Sequence, residues 1–205
     1  WRSVTYGNGK YVAISYTGTN TTRAMYSTDG INWFLGATPD FDIRWNSITY
    51  GNGKYVAVAD YGTNITRAMY STDGINWFLG ATPNFDIDWY SVTYGNGKYV
   101  AIASSGTNTT RAMYSTDGIN WSLGTTPDFN ITWTSIIYGN GKYAVVGLDG
   151  TNTTRAMYLE FTKVGKIDLA SDLYLNNYSY TYIGNGIDDG SWRFYINGTD
   201  LVYER

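Results

Sequence analysis

Arginine recurs at Arg23, Arg67, Arg111 and Arg155, 44 residues apart each time, and asparagine keeps step three positions earlier at Asn20, Asn64, Asn108 and Asn152. A guanidinium presents a rigid fork of donors that suits a carboxylate or a sugar acid, and an amide both donates to and accepts from hydroxyls. These two columns are therefore candidates for binding a glycan or a receptor surface. The alternative for the arginines is a hydrogen-bonding or stacking role between neighbouring units, repeated because the unit is repeated. Tryptophan is periodic too, at Trp1, Trp45, Trp89 and Trp133 and at Trp33, Trp77 and Trp121. Such rings can stack on sugar faces, but at strand starts they are expected in the core.

Bond-breaking chemistry needs groups that differ from one another. Glycoside hydrolysis, for example, sets two carboxylates across one bond. Asp29, Asp73 and Asp117 each precede a glycine in a turn, and Asp40, Asp42, Asp86, Asp88 and Asp128 lie in connections between units. None stands apart within its repeat. The chain has no His and no Cys, which removes the usual general base, the commonest metal ligand and any thiolate. No catalytic residue, metal site or cofactor is expected, and the chain reads as a non-enzyme. Its 14 Lys and Arg are scattered singly under a net charge of −3, so no basic stripe exists to follow a nucleic acid. No apolar run approaches the length of a membrane span.

The frame that must hold these columns is a unit of four short strands. It opens on Trp1, turns at Gly7-Asn8-Gly9, and returns through Lys10 to Ile14. It then loops over Gly18 to Thr22, runs out again from Arg23 to Tyr26, turns at Asp29-Gly30 and ends at Leu35. Four strands in 44 residues is the repeat of a propeller blade. The expected fold is all-β, with a β-propeller-like array over residues 1–162, in units starting at Trp1, Trp45, Trp89 and Trp133, and a small C-terminal β module over 163–205. The fourth unit breaks where Leu159-Glu160-Phe161-Thr162 replaces Ser-Thr-Asp-Gly. Three arrangements fit: four blades closing within the chain, upstream blades trimmed away, or units of other chains covering the open edges. Because Trp1 falls in mid-pattern, a fragment or a processed product is expected.

The segment Tyr-Ser-Thr-Asp-Gly-Ile-Asn-Trp at 26–33, repeated at 70–77 and 114–121, resembles the Asp-box hairpin of sialidase-like β-propellers, shortened by one residue because Asp and Gly are adjacent. The resemblance implies a structural turn between the third and fourth strands of a blade. A sialidase-like hydrolase would also need a Tyr/Glu pair, for which only Glu160 and Glu204 are present, both outside the regular array.

Beyond Lys166 the repeat is gone. Tyr182-Ile183-Gly184, Asp189-Gly190-Ser191-Trp192-Arg193-Phe194 and the run from Gly198 to Arg205 resemble a module of bacteriophage tail-fibre and other virion appendage proteins. That resemblance implies a non-enzymatic structural or receptor-binding component of a phage-like virion appendage. Its partners would be a host cell-surface receptor or glycan and other appendage proteins, and it would be a homo-oligomer, a trimer by resemblance. The alternative is a multivalent glycan-binding propeller lectin of a bacterial or secreted, extracellular protein, with a weak site in each repeat.

Overall fold

The computed structural model describes residues 1–62, 65–106, 109–126, 131–148, 155–161, 167–168, 193–197 and 200–204. Four antiparallel four-stranded sheets follow one another along the chain, and the fold is that of β-propeller blades. The first sheet holds β1 (Ser3–Gly7), β2 (Lys10–Ile14), β3 (Ala24–Ser27) and β4 (Phe34–Gly36). The second holds β5 (Arg44–Gly51), β6 (Lys54–Tyr61), β7 (Ala68–Ser71) and β8 (Phe78–Gly80). The third repeats the plan with β9 (Trp89–Gly95), β10 (Lys98–Ala103), β11 (Ala112–Ser115) and β12 (Ser122–Gly124). In the fourth, β13 (Trp133–Gly139), β14 (Lys142–Gly147) and β15 (Ala156–Phe161) take their outer partner from β16 (Ile167–Asp168), beyond residue 162. A separate hairpin joins β17 (Arg193–Asn197) to β18 (Asp200–Glu204). The tail segments at 178–192 on which the appendage resemblance partly rests lie outside the described residues.

Two turn chemistries set the register. Gly7 pairs with Lys10, so Asn8 and Gly9 form a two-residue turn with φ of 44° and 74°. Positive φ at both positions is the type I′ geometry that Asn tolerates and Gly takes freely. The Asp-Gly segment is longer than the tight turn its dipeptide suggests. Tyr26 pairs with Phe34, leaving residues 27–33 between them. Asp29 is the reason. Its Oδ1 accepts the N–H groups of Ile31 and Asn32 at 2.8 Å each and the Ser27 hydroxyl at 2.9 Å, while Oδ2 accepts from Asn32 Nδ2 at 2.8 Å. The chain therefore winds around the aspartate, and the same bonds recur at Asp73 and Asp117. At Asp73 burial pushes the carboxyl up, but the bonds from Asn76, Ile75 and Ser71 outweigh it and hold it at about 2.

The core lies between blades. Val12, Ile14 and Ala24 of the first blade meet Ile43, Trp45, Ile48, Tyr55 and Met69 of the second, and equivalent clusters join the second to the third and the third to the fourth. Among the described residues no such cluster joins the fourth to the first. At each junction a tyrosine of the following blade lies against a glycine of the one before. A Cβ added at Gly7 would fall 2.0 Å from Tyr50 Cγ, at Gly51 2.1 Å from Tyr94 Cγ, and at Gly95 2.0 Å from Tyr138 Cγ. Beside each ring a second tyrosine, Tyr55, Tyr99 or Tyr143, donates its hydroxyl to the carbonyl of the same glycine. The tyrosine and glycine columns that make the joint are the same in every unit.

Two expected outcomes follow from the joint. Gly95→Ala must displace Tyr138 and is expected to cost about 2–4 kcal/mol in chemical denaturation of the dilute, monomeric chain, whereas Gly139→Ala, with nothing within 4 Å among the described residues, stays within about 0.5 kcal/mol under the same conditions. Equal effects would refute the socket. Burial pushes Tyr55 up to about 12, and Tyr99 and Tyr143 higher still, from an ordinary value of 10.0. Folded values above the unfolded one mean that this stability is complete below pH 10 and drains away as pH rises through the folded values. The melting temperature should hold to about pH 9.5 and then fall steeply, and Tyr55→Phe should make the fall shallower.

Candidate functional site

Three of the repeated arginines are buried and engaged in tying the blades together. Arg23, Arg67 and Arg111 are 4%, 3% and 5% exposed. Arg23 donates through Nη1 to the carbonyl of Ile43 and through Nη2 to Gly18 O at 3.1 Å, Asn20 Oδ1 at 2.9 Å and Asp42 Oδ1 at 2.9 Å. Arg67 reaches Ile87 O at 2.5 Å, Asp60 O at 3.1 Å and Asp86 Oδ1 at 2.5 Å, and Arg111 reaches the carbonyls of Ile131 and Gly106. Each therefore ties its own blade to the connection that leads to the next. Arg155 is exposed and donates to Leu148 O at 3.3 Å. Asn20 sits in a short 3-10 turn (Asn20–Thr22), its side-chain oxygen engaged by Arg23. Asn64, Asn108 and Asn152 lie outside the described residues. Of the tryptophans, Trp45, Trp77, Trp89, Trp121 and Trp133 are buried, while Trp1 is 59% exposed.

A different set of residues comes together at one end of the sheets. Aligned at the 44-residue period, the units keep the tyrosines and glycines of the joint, and four columns of chemically unlike residues gather in one region: Arg2, Asn46, Tyr90 and Thr134; Tyr16, Asp60, Ser104 and Leu148; Thr17, Tyr61 and Ser105; and Arg44, Asp88 and Thr132. In sequence these columns start the inner strand or end the second one. In space they form one face. Arg2 donates to the Tyr90 hydroxyl at 2.8 Å across 88 residues, with its guanidinium 5.5 Å from that ring's centroid and 5.9 Å from that of Tyr16. Arg44 stands 5.5 Å from the Tyr16 ring and 4.6 Å from the Tyr61 ring. These are cation–π distances, and they leave the cations at the surface with their aromatic partners beside them.

Two clefts open on this face. One, of about 450 Å³, is lined by Trp1, Arg2, Tyr16, Thr17, Asp60 and Tyr90. The other, of about 570 Å³, is lined by Tyr61, Asp60 and Asp88 together with Asp42, Asp86 and Arg67. Asp60 lines both. Its Oδ1 is buried and has no hydrogen-bond partner among the described residues, and neither does Asn46 Oδ1 in the first of the varied columns. An unpaired buried acceptor is costly, and its natural use is to meet a donor that arrives from outside. Asp88 is differently placed: its Oδ2 accepts the Ser105 hydroxyl at 2.6 Å. The face thus offers exposed rings, two cations and carboxylate acceptors within one region, a set suited to binding a polar ligand with apolar faces. Among the described residues no group of acidic side chains is arranged to hold a metal ion.

Searching for equivalent copies passes over Arg2, Tyr16, Arg44, Asp60, Tyr61 and Tyr90, because each is the odd member of its column. Reading the repeats against one another, column by column, is the signal that would have found them.

The propeller architecture is shared with proteins of known structure. A catalytically inactive histidine-to-alanine variant of virginiamycin B lyase from Staphylococcus aureus, with quinupristin, matches with a TM-score of 0.61 and 16% identity, over 84% of this chain and 56% of that one. YCF48 bound to D1 peptide matches with a TM-score of 0.54 and 17% identity, over 78% of this chain and 49% of that one. YCF48 from Cyanidioschyzon merolae matches with a TM-score of 0.51 and 17% identity, over 77% and 51%. The chain spans about half the length of these structures, and at such identities the likeness is one of fold. No protein-family model and no curated protein sequence matches the chain.

The two groups of residues separate in a stability experiment. Arg67→Met leaves buried carbonyls without a donor and is expected to cost about 3 kcal/mol in urea denaturation. Arg2→Ala, at the surface, is expected to change stability by less than about 0.5 kcal/mol. A large loss for Arg2→Ala would make the varied face a structural element.

Proposed function

We propose that the chain is a non-enzymatic binding module with one recognition face per chain, serving as the receptor-binding part of a phage-like virion appendage such as a tail fibre or spike. The observation that carries this reading is the meeting of four columns of chemically unlike residues in one face of a near-uniform array. A repeat multiplied only to build a scaffold has no reason to diversify there, and a repeat multiplied to give one weak site per unit would keep its binding residues alike. Here the column members differ, and Arg2, Tyr16, Asp60 and Tyr90 act together across blades. The tail's likeness to appendage modules supports the setting.

The ligand favoured is a host-surface glycan. Exposed Tyr and Trp rings stack on the C–H faces of sugars, while Arg and Asp groups bind their hydroxyls. One structural neighbour, YCF48, is seen with a bound peptide, so recognition without chemistry suits this architecture. Another, virginiamycin B lyase, is catalytically inactive as a histidine-to-alanine variant, and the present chain contains no histidine.

Binding of the purified chain to a glycan array and to candidate host cells tests the reading. Arg2→Ala combined with Tyr90→Ala is expected to weaken binding at least about tenfold, with one ligand bound per chain. Binding at one site per repeat that ignores both substitutions would favour the multivalent lectin, and turnover of a bound glycan would make the chain an enzyme.

A further inference from the structure

The first and fourth blades carry opposite halves of the joint that holds the blades between them together. In the interior, the outgoing face of a blade is fully covered: Val12, Ile14 and Ala24 are 0% exposed, as are Val56, Val58 and Ala68, and Val100, Ile102 and Ala112. On the last blade the matching positions are Ala144, Val146 and Ala156, and all three are exposed. The incoming face mirrors this. Trp45, Ile48 and Tyr55 are buried, whereas Trp1, Val4 and Tyr11 of the first blade are 59%, 58% and 38% exposed.

The glycine sockets show the same pattern. Gly7, Gly51 and Gly95 each hold a tyrosine ring, but among the described residues nothing lies within 4 Å of a Cβ added at Gly139. Tyr6, whose counterparts Tyr50, Tyr94 and Tyr138 fill those sockets, is 59% exposed. Nor has the open face turned polar. Where Thr5 pairs with Val12, Ile137 pairs with Ala144, so apolar bulk has moved between the two strands and remains on the surface, with Ile137 66% exposed. Large apolar faces of this kind mark interaction surfaces.

We infer that a second copy of this chain docks head to tail, with Tyr6 of one copy entering the Gly139 socket of the other. The interface is the one that already joins blades three times within the chain. A head-to-tail contact closes into a ring when its rotation allows, and then covers both ends of both copies. Two copies of these four blades joined in this way would supply about the strands of one ring of the propellers matched above.

Sedimentation equilibrium of the 205-residue chain tests this, alone and with two variants that leave the fold intact. Gly139→Val fills the vacant socket, and Tyr6→Asp puts a charge on the exposed ring position. Twice the chain mass is expected for the parent, and each variant alone is expected to weaken association at least about thirtyfold. Mixing the variants should restore a two-chain particle, because the intact socket of one meets the intact tyrosine of the other. A parent chain that stays monomeric up to about 100 μM would overturn the inference. So would a dimer indifferent to both substitutions, or one broken by Tyr6→Asp and untouched by Gly139→Val, which is the pattern of a symmetric face-to-face contact.

Discussion

The contact between a tyrosine ring and a bare glycine Cα is the constraint on which the array depends. It brings successive sheets close enough for a second tyrosine to reach the same glycine's carbonyl, and it forbids any side chain at that glycine. Because the glycine closes the inner strand, the residues after it must turn at once, and Asn-Gly in type I′ geometry does so. Strand length, turn type and blade spacing are therefore coupled through one small residue. A change at any of them would be felt at the joint, which explains why these columns are the same in every unit.

The arginine column obeys the same logic at the other end of the blade. A guanidinium buried between sheets is tolerable only when carbonyls and carboxylates surround it, and the connection to the following blade supplies them. Arg23 and Arg67 each find both, through Ile43 O and Asp42 and through Ile87 O and Asp86. Arg155 lies exposed and donates to Leu148 O. Burial of the arginine is thus a consequence of blade stacking and not of its own sequence neighbourhood, which is nearly the same in all four units.

That distinction also sets how much was legible in the sequence. Four strands per unit, the inner hairpin and the propeller plan follow from local signals, which a faithful repeat states several times over. The longer Asp-Gly connection did not follow, because its length is decided by the four donors that one Asp29 carboxylate gathers, a side-chain effect that a turn dipeptide does not reveal. The fourth strand of the last blade was equally hidden: Ile167–Asp168 completes the sheet without any of the repeat's residues, by backbone pairing alone. The candidate site was legible only as difference. Periodicity draws attention to what recurs, and the residues of the varied face do not.

Conservation of the joint and divergence of the face are two results of one division of labour. The four columns of the varied face are ones whose side chains leave the sheets at one end, away from the sockets, where substitution costs little stability. Arg2 and Tyr90 belong to one column and lie 88 residues apart, yet their side chains meet, because the stacking of blades gathers one position from each unit onto a common surface. A residue there can be exchanged in one blade without its copies following. The same frame that multiplies identical joints therefore yields a surface whose members can each be different. Asp60, with one oxygen buried and unpaired between two clefts, shows how far a single unit has departed from its neighbours. A buried acceptor left without a donor among the described residues is costly to folding, and a donor brought by a ligand would complete it.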